Sequence, residues 1–447
     1  MANVERDATM FTLASSDDAA QRSEHWFDTG AVERHSRAND EPEWMTRLRL
    51  RSLSLFDEPA ISAWFAVDLP GVVLEHLDAA IGTDPDPVDG VVPDRRNSVG
   101  STTLVEVESI ERRNRARLRE QGVVFCDLAT AARDHSRLVE RYLGSVVSPG
   151  DSPLAALNTA LWSRGWFVYV PPGVDVDIPL EVDSTGRSSS TRPFERTLII
   201  AGKGANVRYF GGCSAPVYTK EPLHASVVEI VVEEHASVGC TTIQNWSPNV
   251  SNFVTKRARV EAGGRMEWID ANIGSKLTSG APCLHLAGDG ATGAVRSVAY
   301  AGAGQHQDTG AQAIHDAPNT SSEFVSRSIV RNGGSAATRG VVRVALGAVG
   351  AASRSECRTL VLDEISDATM FPSTQIDEPD ASVERDETVS TITAGQLLYL
   401  ASRGLSETQA AAIIANGFVE SITKALPIEY AVEWSRLIEL QMFGSVG

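Results

Sequence analysis

The spacing of hydrophobic positions changes twice along the chain, separating a helical region, a strand-rich region and a second helical region. From Glu43 to Phe56, Trp44, Leu48 and Leu55 recur at helical spacing and predict an amphipathic helix. Asp127 to Leu143 repeats that pattern with Leu128, Leu138, Val139, Tyr142 and Leu143. Another helix is predicted after Ser152, whose hydroxyl suits a cap; Pro153 fits the first turn and Gly165 stops it. Gly82 to Asn97, with Asp84, Pro85, Asp86, Pro87, Gly90 and Pro93, is a loop by composition.

After Gly165 the period drops to that of strands, beginning with Phe167-Val168-Tyr169-Val170. Leu198–Tyr209, Ile230–Thr242, Ala258–Ile269 and Leu286–Ala299 share one outline: an apolar run, a tight polar turn, and a second short run. Their turns, near Gly204, His235, Gly263 and Gly290, return about every 30 residues, which favours a solenoid over a sandwich. From Thr393 the pattern is helical again. Gly395 to Ser402 is stopped by Gly404, and Ser406-Glu407-Thr408-Gln409 has capping-box spacing. It opens Ala410 to Ala415, closed by Asn416-Gly417, and Pro427 begins a last helix with Tyr430, Val432, Leu437 and Leu440. The regions are 1–165, mostly helical; 166–392, the β core; and 393–447, helical.

Charge narrows the partners. The net charge of −18 over 447 residues is the wrong sign for a sequence-independent nucleic-acid binder or for an anionic membrane surface. Arginine far outnumbers lysine, which occurs only as Lys203, Lys220, Lys256, Lys276 and Lys424. The first residues carry Glu5, Arg6 and Asp7 where a signal peptide needs an apolar stretch, and no apolar run is long enough to cross a bilayer. Cys126, Cys213, Cys240, Cys283 and Cys357 are scattered and form no CxxC, a pattern suited to reduced thiols in a cytoplasmic protein.

Most motifs are absent. Gly202-Lys203-Gly204 lacks the spacing and hydroxyl of a P-loop, and there is no HExxH or GxSxG. The one GxGxxG, Gly288 to Gly293, leads into the strand-like Ala294-Val295-Arg296-Ser297-Val298 and reads as a turn between strands. The thiols are the most capable groups, since a thiolate can carry a persulfide or bind iron. Cys357 lies between Arg354 and Arg358, which an extended strand turns to its opposite face. Cys213 follows Gly211-Gly212, and Cys126 sits in an apolar run and reads as core. His224, His306 and His315 suit structural hydrogen bonds better than metal ligation. The acidic run from Asp377 to Glu387 reads as a solvated face before it reads as a cation site.

Several blocks together resemble SufB of the SufB/SufD family, the scaffold of the SUF iron–sulfur cluster assembly system. They are Glu41–Met45 (EPEWM), Phe194–Ala201 (FERTLIIA), Gly212–Pro216 (GCSAP), Leu223–Ala225, Gln244–Trp246 (QNW), Asn252–Arg257 (NFVTKR), Asp308–Gly310, Arg403–Ser406 and Gly444–Gly447. The resemblance implies a right-handed parallel β-helix between helical ends. It implies a SufC-type ABC ATPase on the C-terminal helices, and SufD or a second copy paired through the β-helix. A cysteine desulfurase with its sulfur-transfer protein would supply sulfur, ATP would be handled only by the partner, and a transient iron–sulfur cluster, iron and reduced flavin complete the chemistry. Sulfur would arrive as persulfide on Cys213 and pass Gln244, Trp246 and Lys256 to Cys357, with Arg187 a looser match. An ammonium such as that of Lys256 stabilises a nearby persulfide anion.

The sequence departs from the family after Cys357. Where SufB proteins carry Val-Glu-His-Glu-Ala-Thr-Thr, this chain has Val383-Glu384-Arg385-Asp386-Glu387-Thr388-Val389. A guanidinium has no lone pair for iron, so Arg385 is no ligand and is suited instead to an anionic persulfide or a carboxylate. Asp386, with Glu384 or Glu387, is left to join Cys357 in holding iron. Two functions follow: a non-enzymatic cluster scaffold, or a divergent paralogue that transfers or carries sulfur without building a cluster.

Overall fold

In the computed structural model, the described residues are 28–56, 116–183, 194–214, 223–424, Leu426, Ala431, Val432, Trp434–Arg436 and Ile438. The 82–97 loop, Arg187, Pro427, Tyr430, Leu437 and Leu440 lie outside them. Near the N-terminus run α1 (Thr29–Ala38) and α2 (Glu43–Ser54), then β1 (Val124–Asp127), α3 (Leu128–Asp134), α4 (Ser136–Tyr142) and α5 (Pro153–Leu161). The strands that follow are β2 (Trp166–Val170), β3 (Leu180–Asp183), β4 (Phe194–Ala201), β5 (Asn206–Ser214), β6 (Leu223–Val232), β7 (Ser237–Trp246), β8 (Ser251–Val260) and β9 (Arg265–Gly274). Next come β10 (Leu277–Ser279), β11 (Cys283–Leu286), β12 (Thr292–Ala301), β13 (His306–His315), β14 (Ser321–Val330), β15 (Ser335–Val344), β16 (Ala352–Val361), β17 (Asp367–Ile376) and β18 (Ser382–Thr391). The chain closes with α6 (Ala394–Ser402) and α7 (Glu407–Thr423).

The strands alternate between two sheets. One runs β1-β2-β4-β6-β8-β10-β13-β15-β17, with β11 also between β8 and β13; the other runs β3-β5-β7-β9-β12-β14-β16-β18. All pairings but β1 with β2 are parallel, so the chain is a parallel β-solenoid of about seven turns. Each of the four repeated segments is a strand of the first sheet, a turn, and a strand of the second. The turn residues Gly204, His235, Gly263 and Gly290 all have positive φ, between 57° and 68°. They stack as a column: Gly204 N–H donates to Glu234 O, His235 to Ala262 O, Gly263 to Asp289 O and Gly290 to Pro318 O. Each corner N–H thus finds its acceptor in the next coil, which ties successive turns together at one period. The GxGxxG motif is part of this column, a turn with no helix behind it.

The core lies between the sheets, with Val207, Val238, Met266, Trp268, Val295, Phe324, Val342 and Val344 buried. A second cluster joins Met45, Leu128, Val139, Leu157 and Trp162 to Phe167, Leu198 and Ile200, closing the first coil with the N-terminal helices. Trp44 and Leu48 pack against it, but Leu55 caps α2 and is exposed. The Arg196–Glu229 pair pins this junction. Both side chains are buried, 2.6 Å apart, and Glu229 also accepts from the backbone of Gly144, Val146 and Val147.

Four local expectations are corrected. The Asp127–Leu143 segment breaks at His135 into two helices. Cys126, read as core, is only half-buried: it lies on strand β1, antiparallel to β2, at the margin of the N-terminal cluster. α5 ends at Leu161, before Gly165, because Arg164 already pairs with Glu195 in the first coil. α7 runs through Asn416-Gly417 to Thr423, because Val419 and Ile422 beyond the glycine bury themselves against Ile243, Ile269, Val298 and Leu360 on the outer face of the second sheet. Tertiary burial outweighs the local cost of a helical glycine.

Candidate functional site

Every second residue of the second sheet points inward, and two adjacent inward rows are largely polar. In one, Thr242 pairs with Asp270, then Ser297, Ser326, Cys357 and Glu387 in successive strands. All but Glu387 are buried. In the next row Cys213 pairs with Gln244, followed by Asn272, Ala299, Ser328 and Thr359. Cys213 is thus placed by its backbone, and its side chain lies outside the described residues. Five strand steps separate β5 from β16, about 24 Å at the usual strand spacing.

Near the start of the rows the polar side chains interlock. Lys256, reaching across from β8, donates to Asp270 Oδ1 at 2.5 Å and to Thr242 Oγ1 at 2.7 Å. Thr242 also donates to Asp270 at 2.5 Å, and Asn272 to its other oxygen at 3.2 Å. Gln244 Oε1 accepts from Trp246 Nε1 at 2.6 Å and from Asn252 at 3.1 Å. Asn252 Oδ1 meets His224 Nδ1 at 2.7 Å, and the His224 ring lies 4.3 Å from that of Trp246. Burial alone would raise the Glu195 carboxyl, but His224 at 3.5 Å and Arg164 together hold it low. Cys240, one position away from this cluster, is pushed up to about 12 by burial, against the pull of Lys256.

At the far end Cys357 is buried, and its thiol is pushed up to about 12, first by burial and then by Glu387, with Arg385 and Arg327 pulling the other way. The cation on its face comes from β18, not from Arg354 or Arg358. Strand alternation also decides the carboxylates. Glu387 pairs in register with Cys357, whereas Asp386 pairs with Glu356 and Glu384 with Arg354 on the outer face. Asp386 is exposed and held below the ordinary carboxylate range by its 2.6 Å hydrogen bond from Arg358. The expectation that Asp386 and Glu384 join Cys357 around iron is therefore corrected: they face away from it. Arg385 donates to Gly340 O and, at 3.2 Å, to Ser373 O. Its Nε stands 3.8 Å from Glu387 Oε1, too far for a hydrogen bond, and both atoms are without a partner, as is Ser355 Oγ.

Among the described residues no three His, Cys, Asp or Glu side chains converge as a metal-holding group. For iron as cargo, this chain offers at Cys357 one thiol and the Glu387 carboxylate, beside an arginine that cannot ligate. The Gly288–Gly293 turn does not fit a flavin or dinucleotide phosphate, which needs a helix N-terminus. His306 meets Ser335 at 2.7 Å, and His315 meets Thr320 and Ser322, each at 2.9 Å. Cys126 and Cys283 are both pushed up to about 11, chiefly by burial.

The SUF system FeS cluster assembly SufBD core domain family matches residues 184–418, and the SufBD protein N-terminal region family matches 98–182. The chain belongs to the SufBD family. It is 42% identical over 443 residues to an iron–sulfur cluster assembly SufBD family protein of Staphylococcus haemolyticus, covering 95% of each chain. SufBD family proteins of Staphylococcus epidermidis and Staphylococcus aureus are also 42% identical over 442 residues, again 95% of each. SUF iron–sulfur cluster assembly is thus the setting of this SufBD chain. Sequence reasoning missed Thr242, Asp270, Ser297, Ser326 and Gly340. The signal was a small or polar residue returning about every 30 positions at one inward register, legible only once register is known.

Proposed function

We propose that this SufBD protein is a SufB-like scaffold subunit that receives persulfide sulfur at Cys213 and hands it through the solenoid interior to Cys357, where a nascent cluster is built. The observation that carries this reading is that the backbone of Cys213 pairs in register with Gln244, at the head of a largely polar row beside the one that holds Cys357. An apolar interior would reject a sulfur anion; Lys256, Thr242, Gln244 and the serines beyond them offer charge and hydrogen bonds instead. ATP hydrolysis then belongs to a SufC-type ABC ATPase on the helical region 393–447. A cysteine desulfurase with its transfer protein supplies sulfur in the cytoplasm, and SufD or a second copy pairs through the β-helix core, 166–392.

One observation favours the second reading, sulfur transfer without cluster assembly: Arg385 and Glu387 are the inward neighbours of Cys357, while Asp386 and Glu384 turn outward. Anaerobic reconstitution with iron, desulfurase and the ATPase separates the two. The scaffold reading expects visible cluster absorption that Cys357→Ala abolishes. Persulfide on Cys213 without that absorption supports transfer alone, and a normal cluster in Cys357→Ala refutes the role of Cys357.

A further inference from the structure

Opposite Cys357 the interior wall is a glycine. Gly340, on β15 of the first sheet, faces the thiol across the core. A side-chain carbon there would lie 3.3 Å from Glu387 Oε1, 3.5 Å from Arg385 Nη2 and 4.0 Å from Cys357 Sγ. A thiol, a guanidinium and a carboxylate therefore converge on one small space. Beside it Arg385 Nε and Glu387 Oε1, an ion pair at 3.8 Å, are buried without a hydrogen-bond partner, and so is Ser355 Oγ on the same inward face of β16. Ser355 is 2% exposed and pairs in register with Arg385, two residues from Cys357 on the same inward face. Unpaired buried polar atoms are costly, so those of Arg385 and Glu387 mark a place where a further group belongs.

We propose that Gly340, Arg385 and Glu387 form a pocket for a single sulfane sulfur on Cys357, one that holds a hydropersulfide. The orphaned atoms ask for a group that accepts from Arg385 Nε–H and donates to Glu387 Oε1, and the terminal S–H of a hydropersulfide does both. Size agrees. An S–S bond is about 2.05 Å long, so a sulfur directed from Sγ toward the space ends about 2 Å from where a Cβ on Gly340 would stand. An alanine Cβ would clash with that sulfur, and glycine carries no atom there. The inference rests on the reading of Cys357 as the end of the sulfur route and adds what receives the sulfur there.

The step is a sulfane transfer with no net oxidation. The Cys357 sulfur attacks the terminal sulfur of a donor R–S–SH, a new S–S bond forms on Cys357 and the donor's S–S bond breaks. The proton lost by Cys357 leaves on R–SH. With inorganic tetrasulfide as donor, the products are the Cys357 hydropersulfide and trisulfide.

The test treats the full chain anaerobically with sodium tetrasulfide, traps persulfides by alkylation and maps Cys213 and Cys357 by mass spectrometry. Gly340→Ala should lower Cys357 persulfide about tenfold, the scale of an overpacked contact, and leave Cys213 persulfide unchanged. Arg385→Met, at a partly exposed side chain, should lower it in the same direction and supplies the answer if Gly340→Ala fails to fold. Equal Cys357 persulfide in wild type and in whichever variants fold would mean that the space holds only water, and would overturn the pocket. A wild-type chain with persulfide on Cys213 and none on Cys357 would overturn the route itself, and the pocket with it.

Discussion

Lys256 and Asp270 are almost wholly withdrawn from water, at 2% and 4% side-chain exposure, and each is the other's charge partner. Removing one leaves a buried charge unmatched, which costs about 3–5 kcal/mol. Asp270→Ala should therefore destabilise the chain by that order in urea unfolding, and Lys256→Met with Asp270→Leu should recover most of it. His315 sets an acid limit. Burial lowers it from the usual 6.5 to about 4, so between those values the unfolded chain binds the extra proton and the folded chain does not. Stability from this site is complete above pH 6.5 and falls as the pH drops toward 4, by about 3 kcal/mol in all. His315→Gln should flatten that part of a stability-against-pH curve. Lys256 and Cys357 could be singled out from the chain by residue type and resemblance. Glu387 could not be preferred to Asp386, because one step of strand register exchanges the two faces.

At the scale of elements, the turn column carries the repeat. Gly204 and Gly263 have nearly the same positive φ, but a Cβ at Gly204 meets nothing within 4 Å, whereas one at Gly263 runs into the His235 ring of the coil below. Gly204→Ala should cost only the left-handed strain of about 1–2 kcal/mol, and Gly263→Ala clearly more, read as two thermal midpoints. These corners were legible because they depend on local backbone conformation. The course of α7 was not, since its apolar residues past Gly417 are held by the outer face of a sheet assembled from distant segments.

Across the whole molecule, the last coil is the open one. β17 and β18 end their sheets, and Phe371 and Val389 on them are 48% and 45% exposed. Unpaired strand edges invite another chain, in keeping with the proposed pairing to SufD or a second copy. Phe371→Glu with Val389→Glu should shift sedimentation toward the monomer, with the melting point nearly unchanged, as exposed substitutions contribute little to stability. No helix among the described residues is long and apolar enough to cross a membrane.

By itself the sequence determined the solenoid: its period of about 30 residues is written in turn residues whose backbone preferences act locally, and helix caps such as Ser152 and Ser406 are local too. Its thiols and Lys256 were visible as residue types. The tertiary structure alone decided what those groups face. Register across strands about 30 residues apart set Thr242, Asp270, Ser297 and Ser326 in line with Cys357, turned Asp386 outward, and brought Gly340 from the opposite sheet over the thiol. Those relations depend on which side of each strand meets the interior, and only the closed coil fixes that.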